Sequence, residues 1–307
     1  MRIRELNLDY VIFQEKVMQK VGVVTDSTAC IPDEIMQELD IRWVPYYIHR
    51  GKEVLRDLVT IQRDAFYAWL PTAQELPKTA SPGPGDYTQI YQQLYEEGCQ
   101  DIVSIHMTSK GSGAYQAAMA AKTMIDETIP QIKIEVIDTL NVSMCHGWMV
   151  IEAARAAKKG KSLPEIVAQI RKMMPITRML QTADTLRYLY MGGRIGKAKH
   201  LVGTLLKIKP IISMEDGVII ALGQARGRLE AYRRIADLVE KAVGTQGKAK
   251  VAYVHAASLG EIQKLREIVE GRINSVETIL TELSPALGVH TGPGTVGVCY
   301  YPIDQVD

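Results

Sequence analysis

The sequence has 307 residues, of which 47% are hydrophobic and 23% charged, and its 36 Lys and Arg nearly balance its 35 Asp and Glu. This balance argues against general nucleic-acid binding, which needs a basic excess to neutralise phosphates. The four cysteines form no CxxC pair and no run reaches the about 18 apolar residues that cross a bilayer, so we expect a cytoplasmic protein with no metal site and no stable membrane insertion.

The first 160 residues show alternating strand and helix signals. Residues 1–20 carry charges throughout and lack the apolar segment of a signal peptide, so we interpret them as an amphipathic extension. The next predicted elements are strands at Val21–Thr25, Arg42–His49, Asp101–Met107 and Ile132–Asp138, and helices at Asp33–Leu39, Arg63–Leu70, Tyr87–Glu97, Gly113–Glu127 and Ser143–Lys159. Residues 50–81 otherwise have the character of a linker. Strands separated by helices favour a parallel sheet.

The pattern changes after about residue 160. Pro210–Glu215 and Val218–Leu222 flank Asp216–Gly217, a strong hairpin signal. The other predicted elements are helices at Leu163–Met174, Thr185–Tyr190, His200–Leu206 and Leu259–Gly271, strands at Thr177–Thr182, Lys250–His255, Ser275–Leu280 and Thr295–Tyr301, and a long helix or a strand followed by a helix at Ala225–Val243. A hairpin among helices indicates a mixed sheet. We therefore predict an α/β protein of two domains, a Rossmann-like parallel-sheet domain at residues 20–160 and a mixed-sheet domain at residues 161–307.

The first candidate site is Thr108–Gly113, TSKGSG, between a predicted strand and a predicted helix. Ser112 is placed to cap that helix, so the first helical N–H groups and the positive end of the helix dipole would face the loop. A carboxylate or phosphate fits such a place. The known nucleotide-loop spacings are absent, so a plain strand–helix turn remains the alternative.

Other hydroxyl groups occur near the same edge of the predicted sheet. Ser27 lies in TDST after the first strand, and Asp138–Thr139 follows a later one. Ligands of open α/β sheets bind beyond the carboxyl ends of the strands, so we expect a polar pocket mouth there. Thr79 lies in Lys78–Asp86, KTASPGPGD, whose prolines and glycines predict an exposed loop. Helix capping and a surface loop are the alternatives for these segments.

Two glycine-rich segments in the second half complete the candidates. Met191–Lys199, MGGRIGKAK, makes a basic corner that could bind phosphate or an acidic partner surface, or simply end a helix. His290 lies in HTGPG, where we expect it exposed on a rigid turn and able to donate a hydrogen bond to an anion. It could instead join Ser112 as a catalytic pair, although no GxSxG elbow supports a hydrolase.

The order of these motifs resembles the DegV family. The matching segments are VTDSTACIP, the Thr79 loop, TSKGSGAYQAA, VIDTLNVSM, LRYLYMGGRIGKAKHLVGTLLKIKPII, EDG and HTGPG, from about Val21 to Tyr301. The resemblance implies a long-chain fatty acid buried between two domains. It also implies that Thr79 and Ser112 hold the carboxylate together with neighbouring backbone N–H groups. Gly113, Ser27 and His290 complete the predicted ligand-binding set.

The resemblance also implies a partner. Some relatives present the fatty acid to a separate fatty acid kinase, and the arginine of GGRIG, here Arg194, then lies at the partner surface. We therefore predict a carrier that is not itself an enzyme and that has no cofactor besides its bound fatty acid. The alternative is a phosphotransferase related to dihydroxyacetone kinases, or a serine hydrolase using Ser112 and His290. The sequence departs from the family pattern at Ala80, Ser81, Gly111, Ala114, Cys145 and His146, which bear on the preferred acyl length.

Overall fold

The computed structural model describes residues 20–201 and 208–305. Its strands are β1 (Val21–Asp26), β2 (Ile41–Val44), β3 (Tyr47–Arg50), β4 (Glu53–Arg56), β5 (Lys78–Ala80), β6 (Asp101–His106), β7 (Lys133–Asp138), β8 (Arg178–Thr182), β9 (Lys209–Glu215), β10 (Val218–Ala225), β11 (Lys248–His255), β12 (Asn274–Glu282) and β13 (Val296–Pro302). Its helices are α1 (Asp33–Glu38), α2 (Arg63–Trp69), α3 (Pro84–Glu96), α4 (Ala114–Thr128), α5 (Met144–Lys158), α6 (Leu163–Met173), α7 (Arg187–Met191), α8 (Arg228–Val243), α9 (Leu259–Glu270) and α10 (Pro285–Thr291).

Two predicted segments fall wholly or partly outside the described residues. Of the predicted extension at residues 1–20, only Lys20 is described. The helix predicted at His200–Leu206 is described as far as Leu201, which ends a short 3-10 helix. In residues 20–201 and 208–305, none of the helices has the length and hydropathy needed to cross a membrane.

The first half forms a parallel sheet of four strands in the order β2-β1-β6-β7, as predicted. β1 and β6 are buried along their whole length, because helices cover both faces of the sheet. Helices α3 and α4 pack on one face, and α5 packs on the other. This arrangement brings the carboxyl ends of β1, β6 and β7 to one edge, where the predicted polar loops begin.

The second half forms a mixed sheet of six strands in the order β10-β9-β8-β13-β11-β12. The predicted hairpin is confirmed, since β9 and β10 pair antiparallel around Asp216 at φ 49° and Gly217 at φ 77°. Ala225–Val243 resolves into the end of β10 followed by α8, which was one of the two alternatives. The largest hydrophobic cluster includes residues of both halves, and the boundary predicted near residue 160 stays a prediction.

A third, three-stranded sheet in the order β4-β3-β5 was not predicted. The single strand predicted at Arg42–His49 is wrong: it divides at Pro45, where the chain leaves the parallel sheet. Proline supplies no N–H to a sheet ladder, so a strand does not run through it unbroken. The short helix predicted at Arg63–Leu70 is confirmed as α2, but the linker interpretation of the rest of residues 50–81 is wrong, because β4 and β5 lie within it. Thr79 is therefore on a strand, paired with Ile48, rather than on a loop.

The expectation of an exposed turn at His290 is wrong as well. Helix α10 begins after Ser284, whose Oγ accepts a hydrogen bond from Leu287 N at 3.5 Å, and Pro285 occupies its first position. Both residue types favour helix starts. The helix ends at Gly292, which has a φ of 73°. His290 consequently lies in the last turn of a helix and is partly buried.

Candidate ligand-binding site

A cavity of about 570 Å³ lies where the three sheets meet. This volume is within the range of small-molecule sites. Its polar lining includes Thr28, Tyr46, Thr79, Ser81, Lys110, Ser112, Arg194 and His290. Its apolar lining includes Met107, Val142, Met179, Leu189, Met214, Ile219, Leu283 and Leu287. The cavity therefore suits an amphipathic ligand, which has a polar group and an apolar part.

Contacts between the two halves of the chain help to enclose this cavity. The turn of the β9–β10 hairpin lies against the TSKGSG loop, where Thr108 Oγ1 donates to the carbonyl of Gly217 at 2.9 Å. A Cβ added at Gly217 would lie 2.4 Å from Thr108 Oγ1, so the turn needs glycine for this approach as well as for its φ. Arg194 makes a second contact across the halves, its Nε donating to Gly111 O at 3.3 Å.

Thr79 and His290 are paired in the cavity wall. Strand β5 and helix α10 bring Thr79 Oγ1 to 2.8 Å from His290 Nε2. Burial, with a further effect of the nearby Arg194 charge, lowers the pKa of His290 to about 4. The imidazole is therefore neutral at pH 7, and only one of its nitrogens carries a proton.

The surroundings of His290 indicate which nitrogen that is. Nδ1 is buried and has no hydrogen-bond partner among the described residues. It faces Gly192 so closely that a Cβ added there would lie 2.4 Å away. A buried N–H without an acceptor is rarer than a buried acceptor without a donor. We infer that the proton is on Nε2 and is donated to Thr79, which leaves the threonine hydroxyl proton free to point into the cavity.

Ser112 is paired with a residue that the sequence did not indicate. Its Oγ lies 2.6 Å from the phenol oxygen of Tyr46. The predicted capping role is displaced by one position, because α4 has Gly113 as its N-cap residue and Ser112 Oγ accepts from Ala114 N at 3.3 Å. Gly113 also lines the cavity, and a Cβ added there would lie 3.1 Å from Ser81 Oγ.

A buried polar network lies behind this wall. Thr28 lines the cavity, but its hydroxyl and backbone N–H both donate to Asp26 Oδ1. The other oxygen of Asp26 lies 3.1 Å from His106 Nδ1. Burial alone would raise the pKa of Asp26, but the His106 hydrogen bond and the nearby histidine charges hold it below its ordinary value. Because the Thr28 hydroxyl already donates its hydrogen bond to Asp26, it has no proton left to donate to a ligand.

The structure brings together most of the predicted site residues. Thr79, Ser112, Gly113, Arg194 and His290 all line the same cavity, as the sequence interpretation required. Their roles toward a ligand remain predictions.

Ser27 and Asp138 instead support the walls of the site. Ser27 Oγ accepts the backbone N–H of Tyr46 at 3.1 Å, and its neighbour Thr28 provides the cavity lining. Asp138 Oδ1 accepts the backbone N–H groups of Ser109 and Leu140. The ligand-binding role predicted for Ser27 stays a prediction.

The described contacts bear on the hydrolase alternative and on metal binding. His290 Nε2 is hydrogen-bonded to Thr79, and Ser112 Oγ is hydrogen-bonded to Tyr46 and Ala114, so the two predicted catalytic residues are not paired with each other. Residues 20–201 and 208–305 contain no group of three or more His, Cys, Asp or Glu side chains that could hold a metal ion.

The fold and cavity define a class: an α/β protein with an amphipathic ligand site between a parallel and a mixed sheet. Residues 20–303 match the family model described as "Uncharacterised protein, DegV family". A DegV domain-containing protein of Halalkalibacterium halodurans is 32% identical over 286 residues, covering 92% of this chain and 99% of that protein. The chain therefore belongs to the DegV family.

Solved structures of the family share the whole fold. A DegV family protein from Thermus thermophilus, described by its fatty acid binding, superposes with a TM-score of 0.86 at 28% identity, covering 93% of this chain and all of that one (100%). DegV from Bacillus subtilis, described as a fatty acid binding protein, has a TM-score of 0.82 at 28% identity, covering 92% and 99% of the two chains.

Proposed function

We propose that this chain is a cytoplasmic carrier that binds one long-chain fatty acid in the cavity, with the carboxylate at Thr79 and Ser112. The observation that carries the proposal is the combination of two paired hydroxyl groups with walls of methionine, leucine, isoleucine and valine in one cavity. The fatty acid binding described for the Thermus and Bacillus relatives supports it.

The energetics of such a ligand agree with this lining. A buried carboxylate requires hydrogen-bond donors, which the two hydroxyl groups supply. Each buried CH₂ contributes about 0.8 kcal/mol, so a chain of roughly sixteen carbons gains on the order of 10 kcal/mol. Three methionines, Met107, Met179 and Met214, line the walls, and their flexible side chains suit an acyl tail of variable shape.

The first test is whether the purified chain contains a fatty acid. After denaturation, mass spectrometry is expected to detect one fatty acid per protein molecule. Ile219→Trp should reduce that amount, because Ile219 lines the cavity, whereas Leu222→Trp on the same strand should not, because Leu222 is exposed. A purified chain that is empty and also rejects added palmitate and oleate would contradict the proposal.

We further propose that the carrier performs no chemistry itself and presents the carboxylate to a fatty acid kinase. Arg194 supports this step, because it is exposed, lines the cavity and holds the TSKGSG loop through Gly111 O. A guanidinium at this position can engage an acidic partner or a phosphorylated head group with its remaining donors.

Arg194→Glu is expected to reduce kinase- and ATP-dependent formation of acyl phosphate at least about tenfold, since it places a like charge opposite an acidic surface. The protein should still co-purify with fatty acid, which mass spectrometry would show. Arg187→Glu is the control, because Arg187 is an exposed arginine of α7 outside the cavity lining. An equal loss in both variants would indicate a general effect of charge and would remove Arg194 from the partner surface.

A further inference from the structure

Tyr46 occupies a fixed position between the ligand cavity and the protein core. It follows Pro45 in the short connection between β2 and β3, and its side chain is only 4% exposed. Its backbone N–H donates to Ser27 Oγ at 3.1 Å, and its carbonyl accepts from Asp57 N at 2.9 Å. Both backbone groups are thus held by other segments, so the phenol has little freedom to leave the cavity wall.

The hydrogen bonds of Ser112 leave two directions for its proton, depending on which of Ser112 and Tyr46 donates to the other. A serine hydroxyl has two acceptor sites and one donor. Ala114 N donates to Ser112 Oγ at 3.3 Å, and the Tyr46 phenol lies 2.6 Å from the same oxygen. When Tyr46 is the donor, both acceptor sites are filled, and the serine proton remains for the cavity. Burial raises the pKa of Tyr46 well above its ordinary value, so the phenol keeps the proton that it donates.

We propose that Tyr46 is a positioning residue that turns the Ser112 hydroxyl toward the ligand and so selects a carboxylate over an uncharged head group. His290 donates to Thr79 in the same way. Each of the two hydroxyl groups therefore accepts a hydrogen bond from a protein donor and keeps its own proton for the ligand. A carboxylate can accept from both hydroxyl groups, whereas a fatty alcohol has one oxygen and no charge. This inference rests on the proposed function and concerns the same cavity.

The test is a double-mutant cycle on binding. Affinities for palmitate and for 1-hexadecanol would be measured by calorimetry on delipidated protein for Tyr46→Phe, Ser112→Ala, the pair together and the unmutated chain. Tyr46→Phe is expected to weaken palmitate binding about five- to tenfold and hexadecanol binding less than about twofold. In the Ser112→Ala background the effect of Tyr46→Phe should disappear, because Tyr46 acts through the serine.

Tyr47→Phe provides the matched control. Tyr47 is the next residue, and its phenol donates to Asp86 at 2.9 Å, but it does not line the cavity. A second variant, Ser27→Ala, loosens the backbone anchor of Tyr46 and remains informative if Tyr46→Phe fails to fold. Its effect should be smaller, in the same direction, and absent in the Ser112→Ala background.

Three outcomes would overturn the inference. Tighter palmitate binding by Tyr46→Phe would mean that Ser112 donates to Tyr46 and that the phenol competes with the ligand. A loss that persists in the Ser112→Ala background would mean that Tyr46 acts by another route. An unmutated chain that binds no palmitate would overturn the proposed function and this inference together, which separates that failure from the first two.

Discussion

Replacing Thr79 with valine and Ser112 with alanine together is expected to weaken palmitate binding at least about 100-fold. Each hydroxyl supplies one hydrogen bond to a buried carboxylate, and a hydrogen bond to a charged group contributes about 1.5–3 kcal/mol. Valine keeps the shape of threonine, so the acyl cavity is unchanged in volume. It also leaves His290 Nε2 without its acceptor, which is a cost to the folded state that thermal unfolding would register.

Binding would be measured by calorimetry on delipidated protein, with thermal unfolding to show that the double variant is folded. Thr88→Val is the control, because Thr88 is a partly exposed threonine of α3 outside the cavity lining, and its hydroxyl donates to the carbonyl of Pro84 at 3.0 Å. Each single variant should lose about tenfold or more. A double variant that retains the affinity of the unmutated chain would place the carboxylate elsewhere in the cavity.

The regular elements of this fold could be predicted because their signals are local. Buried β-branched runs such as Val21–Asp26 alternate with helical patterns, and Asp216–Gly217 marks its hairpin. The third sheet could not be predicted in the same way. Its strands have three or four residues each, too few for a period-2 pattern to stand out, and Lys78–Ala80 adjoins a proline- and glycine-rich segment that indicates a loop.

The hydroxyl groups and His290 were predicted as site residues, but the pairing that orients each hydroxyl group was missed. The pairs Thr79–His290 and Ser112–Tyr46 are separated by 211 and 66 residues, and no spacing rule relates residues that far apart. Tyr46 belongs to no motif, so nothing in the sequence singled it out. The placement of His290 was different, because Ser284–Pro285 is a helix-start signal that could have moved it from a turn to a helix.

Asp57 holds the beginning of the helix that carries His290. Its carboxyl group is 0% exposed, and Oδ1 accepts from Ala286 N at 3.1 Å, while Oδ2 has no hydrogen-bond partner among the described residues. Burial raises the pKa of Asp57 from 3.8 to about 6, against the opposing effects of the Ser27 hydroxyl and the Ala286 N–H. At neutral pH the buried, ionised carboxylate of Asp57 therefore lowers the free energy of unfolding.

Asp57→Asn is expected to become progressively more stable than the unmutated chain as the pH rises from about 4 to 6. In that window the native aspartate binds a proton that the unfolded chain has lost, so the contribution of Asp57 to the free energy of unfolding declines as the pH rises. The full decline, from well below pH 3.8 to well above pH 6, is about 3 kcal/mol, of which about 2 kcal/mol falls between pH 4.5 and 7.5. Asparagine does not titrate, and groups common to both proteins, such as Asp26, cancel in the difference. Urea unfolding between pH 4.5 and 7.5 would measure the stability difference between Asp57→Asn and the unmutated chain. Asp126→Asn, on the exposed face of α4, is the control. If the difference in unfolding free energy between Asp57→Asn and the unmutated chain stays constant with pH, then the native state does not raise the pKa of Asp57, and the prediction is wrong.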